Sequence, residues 1–332
     1  MLAMIGIKDI AKECNVAVST VSRALNNSTG ISQKTKEYIL RVCEEKGYQP
    51  NSVARSLILN ETNMIGLVVP DITNQYYAFI SKGVSAYLEK RGYGLLLCNS
   101  DRNKANELMY STFLTSKRVD GAIVIPISSD KDDYKSFIKT TTPLVFVDNY
   151  IADLDVSFIT NDNYSGTRKI IQHMIRLGYK RIGVILGDKN SSASNDRFRG
   201  YTDVLKNSGI DRDDSIVFNS MATFADGVKY AKFLIEKSVD AIFAINDTVA
   251  MGVLKYCHEN SVEIPRDLGL AGYDDIEQAS MLHIPLTTVH QRKFALGEKA
   301  AEVLINEIKH PYTVKQKIIL QPKLIVRKSC GE

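Results

Sequence analysis

Four polar side chains near the N-terminus have the types and the spacing to contact nucleic acid. Residues 18–26 predict a short helix with Val21, Ala24 and Leu25 on its inner face and, on its outer face, Ser19, Thr20, Ser22 and Arg23. Hydroxyl groups and free backbone amides at a helix N-terminus bond phosphate oxygens, and an arginine fork pairs with a guanine edge in the major groove. The outer face of this helix therefore predicts contact with DNA.

Two further predicted helices would position that face. In the first, apolar side chains recur at i, i+3, i+4 and i+7, at Ile7, Ile10, Ala11 and Cys14. A third helix is predicted to begin after the cap Ser32 and to end at Gly47, because glycine commonly ends a helix. Two short helices joined by a tight turn at residues 15–17 predict a helix-turn-helix. A small helical bundle without a DNA role has the same pattern, so that alternative stays open.

The first 60 residues also hold most of the net charge. They contain eight Lys or Arg and five Asp or Glu, a difference of +3, whereas the whole chain has a net charge of +4. A basic terminal module suits a phosphate backbone, and a solvated protein surface explains the same charge equally well.

Length and composition set the broad class of the protein. A chain of 332 residues predicts two or three domains, and 44% hydrophobic with 24% charged residues is ordinary for globular proteins. Because no apolar run reaches membrane-spanning length and Lys8 and Asp9 interrupt any signal segment, we expect a soluble cytoplasmic protein with no membrane partner. The five cysteines are scattered without a Cys-x-x-Cys pair, which predicts buried thiols rather than a zinc site or a disulfide framework.

From residue 64 onwards, apolar runs alternate with helical segments. One set of predicted strands occupies residues 64–70, 94–98, 120–125 and 144–147, and a second set occupies residues 181–186, 241–245 and 269–273. Repeated strand–helix units predict parallel sheets with right-handed crossovers. Two such sheets in tandem predict a two-lobed receptor whose ligand lies at the carboxyl ends of the strands.

Residues 50–63 separate these two parts and are predicted to be a hinge. Ser52 can cap a short helix that begins with Val53 and Ala54 and runs to the apolar pair Leu57 and Ile58. Isolated helices of fewer than about 12 residues are marginal in water, so we expect this helix to need a partner that orders it.

The sequence contains no recognisable catalytic motif. The five histidines have no metal-binding spacing, and neither a phosphate loop of the Gly-x-x-x-x-Gly-Lys type nor a nucleophile elbow is found. We therefore predict no enzyme activity, no catalytic or metal-binding residues and no cofactor. A solute-binding protein of a transporter would share the two-lobed fold, but the missing signal segment and the helix-turn-helix weaken that alternative.

Four motifs, at these spacings, resemble those of the LacI/GalR family of bacterial transcription regulators, over essentially the whole chain. The motifs are Ile7-Lys8-Asp9-Ile10-Ala11, Thr20-Val21-Ser22-Arg23-Ala24-Leu25-Asn26, Gly47-Tyr48-Gln49-Pro50-Asn51 and Val53-Ala54-Arg55-Ser56-Leu57. The resemblance implies a helix-turn-helix domain at residues 5–49, a hinge helix at 50–63 and a periplasmic-binding-protein-like domain for effector binding and dimerisation at 64–332. Its N-lobe would comprise about 64–161 and 292–320 and its C-lobe about 162–291 and 321–332, with crossovers near Thr160, His290 and Leu320.

The resemblance also implies which residues contact DNA. Val18, Ser19 and Arg23 would choose the bases, and the phosphates would be held by Thr20, Asn26, Ser32, Thr35, Tyr48 and Asn51. Paired hinge helices of a dimer would insert Leu57 into the minor groove, with Ala54 small enough to let the groove close around them. Alternatively, Leu57 fixes the hinge to the sensor domain. One departure is Ala17, where the family usually has a serine that caps the helix and contacts phosphate.

For the effector, the resemblance implies nine cleft residues: Tyr76, Tyr77, Asp148, Asp162, Arg197, Asn246, Asp247, Asp274 and Gln291. Carboxylates and a guanidinium bond adjacent hydroxyls of a polyol, and a tyrosine face covers the apolar side of a sugar ring. Alternatively, Asp162 or Asp247 caps the helix that follows it, and Tyr76 belongs to the core. Many relatives have an aromatic residue near Ala222, where this chain has Met221-Ala222-Thr223 with Phe224 two residues on, so a purine, a simple sugar and a sugar acid all stay open as effectors.

The function implied is that of a repressor of a carbohydrate-utilisation operon. It would bind a palindromic DNA operator as a homodimer under allosteric control by a small sugar-like effector. Because no heptad extension follows the last helix, a four-chain assembly is not expected. The direction of effector control stays open, and so does a protein corepressor as an additional partner.

Overall fold

The computed structural model describes residues 5–26, 29–48, 61–138 and 142–331. The chain divides into two compact units between Thr62 and Asn63, and each unit has its own hydrophobic core. Three predicted DNA contacts, Asn51, Ala54 and Leu57, lie outside the described residues.

The first unit contains three helices, α1 Ile7–Glu13, α2 Val18–Leu25 and α3 Gln33–Glu45. Ile10, Val21 and Ile39, one from each helix, are fully buried and form the centre of a small core. Ser32 caps α3 by accepting a hydrogen bond from the amide of Thr35 at 3.1 Å. The apolar spacing read from the sequence therefore predicted the inner faces correctly.

The second unit has two lobes, each built on a parallel sheet. The first lobe has a six-stranded sheet of β1 Met64–Val69, β2 Gly94–Asn99, β3 Gly121–Val124, β4 Leu144–Val147, β5 Ser157–Asn161 and β11 Lys317–Leu320. The strand order is β11-β5-β4-β3-β1-β2, and every neighbouring pair is parallel. Its helices are α4 Gln75–Glu89, α5 Lys104–Ser116, α6 Lys135–Ile138 and α12 Lys293–Lys309.

The second lobe has a four-stranded parallel sheet of order β7-β6-β8-β9. Its strands are β6 Ile182–Leu186, β7 Val217–Asn219, β8 Ala241–Ala244 and β9 Gly269–Ala271. The helices are α7 Asn163–Arg176, α8 Ser192–Asn207, α9 Phe224–Glu236, α10 Asp247–Glu259 and α11 Glu277–Met281. A short antiparallel pair, β10 Thr288–His290 and β12 Lys323–Ile325, completes the lobe.

The chain passes between the lobes three times. It leaves the first sheet after β5, returns between β10 and α12, and leaves again between β11 and β12. These passages lie beside Thr160, His290 and Leu320, the positions given by the family resemblance. Because both sheets have their carboxyl strand ends at the passages, loops from both lobes meet there.

Close helix packing in each lobe depends on paired glycines. A Cβ at Gly83 of α4 would lie 2.1 Å from the carbonyl oxygen of Phe294, and a Cβ at Gly297 of α12 would lie 2.0 Å from that of Ile80. In the second lobe, a Cβ at Gly227 or at Gly252 would lie 2.1 Å from a backbone oxygen of the facing helix. In both lobes, helix backbones touch where no side chain fits.

All five cysteines are free and buried, at Cys14, Cys43, Cys98, Cys257 and Cys330. Burial raises the thiol pKa to about 11 for Cys98 and to about 12 for Cys257. In the described part of the chain, no helix has the length and apolar character needed to cross a membrane.

Candidate functional site

A cavity of about 120 Å³ lies between the two lobes, at the carboxyl ends of the strands. Its walls come from the residues that follow β1, β4, β6, β8 and β9, among them Pro70, Asp148, Gly187, Asn246 and Asp274. Parallel strands that end at the same edge of a sheet bring these loops together. The wall residues are far apart in the chain. The order of the strands in the two sheets brings them together.

The structure brings six of the nine predicted effector residues to this cavity. They are Tyr76, Tyr77 and Asp148 from the first lobe and Arg197, Asn246 and Asp274 from the second. A molecule held by these side chains would contact both lobes at once. The cavity can therefore link ligand binding to the arrangement of the lobes.

Arg197 is fixed by contacts on all sides. Its Nε donates to the Oδ1 atom of Asn163 at 2.8 Å, and its Nη1 donates to the carbonyl oxygen of Ile245 at 2.6 Å. The guanidinium lies 3.8 Å from the centre of the Tyr273 ring, and its Nη2 lies 4.0 Å from the Oδ1 atom of Asp274. Such a preorganised fork loses little entropy when it bonds a ligand.

Two of the three carboxylates that line the cavity, Asp148 and Asp274, accept hydrogen bonds from side chains of the protein. The Tyr76 hydroxyl donates to the Oδ1 atom of Asp148 at 2.5 Å, and the Nε2 atom of Gln291 donates to the Oδ1 atom of Asp274 at 2.6 Å. Burial raises the pKa of both carboxyls, that of Asp274 to about 6, although Arg197 and Lys293 lower it. Each carboxyl keeps a second oxygen with which to accept a hydrogen bond from a ligand.

Four of the eleven non-glycine residues that have a positive φ in the described part of the chain line the cavity. Arg102, Asp148, Ala222 and Asp274 all line it with positive φ, at 52°, 69°, 58° and 114°. Such conformations cost energy in residues other than glycine and persist where the surroundings hold them. Around Asp274, the buried Lys293 provides such support, because its Nζ donates to the carbonyl oxygens of Asp274 and Asp275 at 2.6 and 2.7 Å.

The remaining three predicted residues, Asp162, Asp247 and Gln291, lie outside the lining of this cavity. Asp162 caps α7 by accepting from the amide of Ser165 at 2.9 Å. Asp247 is fully buried behind the cavity and accepts from the amide of Ile276 and the hydroxyl of Thr288, at 2.9 and 2.6 Å. Gln291 supports the wall from behind, because it bonds Asp274, Tyr76 and Asn161.

In the three-helix unit, Val18, Ser19 and Arg23 are exposed on one face of α2, opposite the buried Val21 and Ala24. Among the predicted phosphate contacts, Asn26, Ser32 and Thr35 lie just after α2 or at the start of α3, while Thr20 and Tyr48 are partly buried. Ala17 occupies the N-cap of α2 and makes no side-chain cap bond there, as its type predicts.

Both units match known protein families. Residues 6–51 match the model of bacterial regulatory proteins of the lacI family, and residues 171–330 match that of the periplasmic binding protein-like domain. The ribose operon repressor of Halalkalibacterium halodurans is 32% identical over 328 residues, covering 98% of this chain and 97% of that protein. The transcriptional repressor PurR of Mannheimia succiniciproducens is 30% identical over 330 residues, covering 98% of each.

The chain belongs to the LacI family of bacterial regulatory proteins. Its fold is also similar to that of the transcriptional regulator CelR in complex with cellobiose, with a TM-score of 0.76, 27% identity and coverage of 98% of this chain and 99% of that chain. The predicted family, the three-helix unit and the two-lobed domain are thereby confirmed. The family consists of transcriptional regulators, the class that the sequence predicted.

Several residues that line the cavity of this LacI-family chain were missed at the sequence level. They follow strand ends or begin helices, and include Asn74, Arg102, Asn149, Asp188, Ser191 and Ser194. Asn149 joins the lobes, since its Oδ1 atom accepts from the hydroxyl of Ser191 at 2.8 Å and from the amide of Ala193 at 3.0 Å. Their positions directly after strands were visible, but their types are also common in ordinary turns.

Proposed function

We propose that this LacI-family chain represses a carbohydrate-utilisation operon by binding a palindromic operator as a homodimer in the cytoplasm. The observation that carries the proposal is the joint occurrence of an exposed polar face on α2 and a polar cavity shared by two lobes. The first suits DNA, and the second suits a small molecule whose binding alters the lobe arrangement. One chain thereby senses a metabolite and regulates transcription.

On the DNA side, Arg23 would fork onto a guanine while Val18 and Ser19 contact neighbouring base edges. Thr20, Asn26, Ser32, Thr35, Tyr48 and Asn51 would hold the backbone phosphates. In the hinge, Leu57 would enter the minor groove with Ala54 beside it. These roles extend the family resemblance to the matching positions of this chain.

On the effector side, Asp148, Asp274, Arg197 and Asn246 would bond ligand hydroxyls, and Tyr76 and Tyr77 would contribute the aromatic side of the wall. The ligand requires no metal or cofactor in this scheme. The operon named for the ribose repressor and the cellobiose bound to CelR support a carbohydrate, whereas the PurR relative keeps a purine as the second candidate.

The relative arrangement of the two lobes would control DNA binding. An effector that prefers one lobe arrangement shifts its population, and couplings of this kind are typically about 1 to 3 kcal/mol. A ligand or a protein corepressor that favours the DNA-binding arrangement would strengthen repression, and a ligand that favours the other arrangement would weaken it.

The proposal is tested by genomic footprinting with the full-length protein, followed by titration of the recovered site. We expect a palindromic site whose affinity shifts by about 5- to 150-fold when one carbohydrate processed by the neighbouring genes is added. A shift with a purine alone would replace the carbohydrate by the second candidate. Failure to recover any specific site would contradict the regulatory function and favour solute binding.

A further inference from the structure

Arg102 is a cation of the cavity wall whose guanidinium has no hydrogen-bond acceptor among the described residues. It lies after the edge strand β2, and its backbone amide donates to the carbonyl oxygen of Pro70 at 2.9 Å. Its guanidinium makes no hydrogen bond or ion pair within the described ranges, and lies 5.8 Å from the centre of the Tyr77 ring. Its donors therefore remain for a ligand.

Arg102 lies where the cavity meets a second, neighbouring crevice, and it lines both. This crevice, of about 320 Å³, shares Arg102, Asn74 and Ala222 with the cavity. The first turns of α4, α9 and α10 border it, at Gln75, Phe224 and Thr248. Since the N-terminal end of a helix carries partial positive charge, three such ends beside a guanidinium favour an anion.

Carboxylates nearby already have partners. Asp148 accepts from Tyr76 and Asp274 from Gln291. Asp71 and Asp188 each accept a backbone amide of their own turn, and Asp226 is bonded to Thr223 at the start of α9. None of these oxygens forms an ion pair with Arg102 within the described ranges, although Asp71, Asp148, Asp188 and Asp274 line the cavity or the crevice.

We propose that the effector is an anionic sugar derivative whose carboxylate or phosphate is bound by the unpaired guanidinium of Arg102, where the cavity meets the crevice. The polyol part would lie against Arg197, Asp148 and Asp274. This inference rests on the proposed function, and it specifies the class of its effector. A carboxylate and a phosphate share the planar, bidentate recognition that an arginine fork provides.

The proposal is tested by calorimetric titration of the full-length protein. The ligands are pentoses and hexoses, and each neutral sugar is compared with its aldonic acid and with its terminal phosphate ester. We expect at least one anionic member to bind about tenfold or more tightly than its neutral parent. The acid and the ester compared with each other identify which anion is recognised.

Substitutions of Arg102 test whether this side chain causes the tighter binding of the anionic member. Arg102→Gln should weaken binding of the anionic member by roughly 10- to 100-fold, since a hydrogen bond to a charged group is lost, and should weaken binding of the neutral parent by a clearly smaller factor. Arg102→Lys, which keeps the charge without the fork, should fall between. Arg91→Gln is the matched control, because Arg91 is exposed on the same lobe and absent from the cavity wall.

Three results would overturn the proposal: no anionic member binds, neutral parents bind as tightly as their derivatives, or Arg102→Gln weakens both equally. Operator titration with the same preparations shows whether only the anionic effector is wrong or whether the proposed regulatory function is wrong as well. Retained operator binding that responds to a neutral sugar would leave the regulator intact while removing the anionic effector.

Discussion

Asp274 is central to the cavity because it meets Arg197, Gln291 and the supporting Lys293. We predict that Asp274→Asn, which suits the positive φ better than alanine, lowers effector affinity by roughly 10- to 100-fold through loss of a charged hydrogen-bond acceptor. Calorimetry with the effector measures this loss. Operator affinity without effector should stay within about twofold, and a normal effector response would remove Asp274 from the binding site.

A substitution at Arg23 should affect operator binding alone, as one at Asp274 should affect effector binding alone. We predict that Arg23→Ala costs roughly 1 to 3 kcal/mol of operator binding and relaxes specificity at one base position. Titration against operators with single base changes measures both effects. Arg41→Ala, at an exposed arginine of α3, is the control for general loss of charge. Equal losses in the two variants would contradict a base-reading role for Arg23.

Glu107 should make stability depend on pH. It is 2% exposed, accepts from the Tyr134 hydroxyl, and burial raises its pKa to about 7. Its pKa in the unfolded chain is about 4.3, so the folded state binds more protons between these two values. The contribution of Glu107 to the free energy of unfolding is therefore fully present at low pH. It is lost as the pH rises from about 4 to about 7.

We predict that Glu107→Gln makes the free energy of unfolding decline less over that pH range. Urea unfolding at intervals from pH 4.5 to pH 8 measures the slope for both proteins. The slope is compared rather than the absolute value, because the glutamine amide also changes the hydrogen bonding of this buried side chain. Parallel curves for wild type and variant would rule out titration of Glu107 in this window.

At the scale of elements, the contact of α4 with α12 leaves no room for a side chain at Gly83. We predict that Gly83→Ala lowers the free energy of unfolding by about 1 to 3 kcal/mol or more, because a Cβ would collide with backbone and not with a movable side chain. Ser85→Ala on the exposed side of the same helix is the control, with an expected change within about 0.5 kcal/mol. Similar values for the two variants would show that the helices can separate without cost.

Elements were more predictable than side-chain directions. Continuous apolar runs such as residues 64–69 predicted buried parallel strands, because both faces of such a sheet are covered. The residues after the strands were harder, since neighbours point in different directions. Asn246 lines the cavity while the adjacent Asp247 faces the protein interior. Arg102 was missed because it follows an edge strand in a turn whose geometry its sequence does not reveal.

At the scale of the whole molecule, residues 50–63 join the two units in the chain. We predict that Leu57→Ala weakens operator binding while effector affinity stays unchanged, because an apolar wedge stabilises the bent duplex and not the ligand cavity. Operator titration and effector calorimetry on one preparation measure the two quantities. Ile58→Ala is a neighbouring apolar control. Unchanged operator affinity for Leu57→Ala would leave the hinge-to-sensor attachment as the role of that leucine.

The five buried thiols have a practical consequence for observing this regulator at work. Buried thiols with a raised pKa react more slowly with maleimides than exposed ones, so we expect the natural cysteines not to need replacement before labelling. One surface cysteine added to each lobe would therefore accept a donor and an acceptor dye selectively. Energy transfer between the dyes would then report opening and closing of single molecules as effector or operator is added.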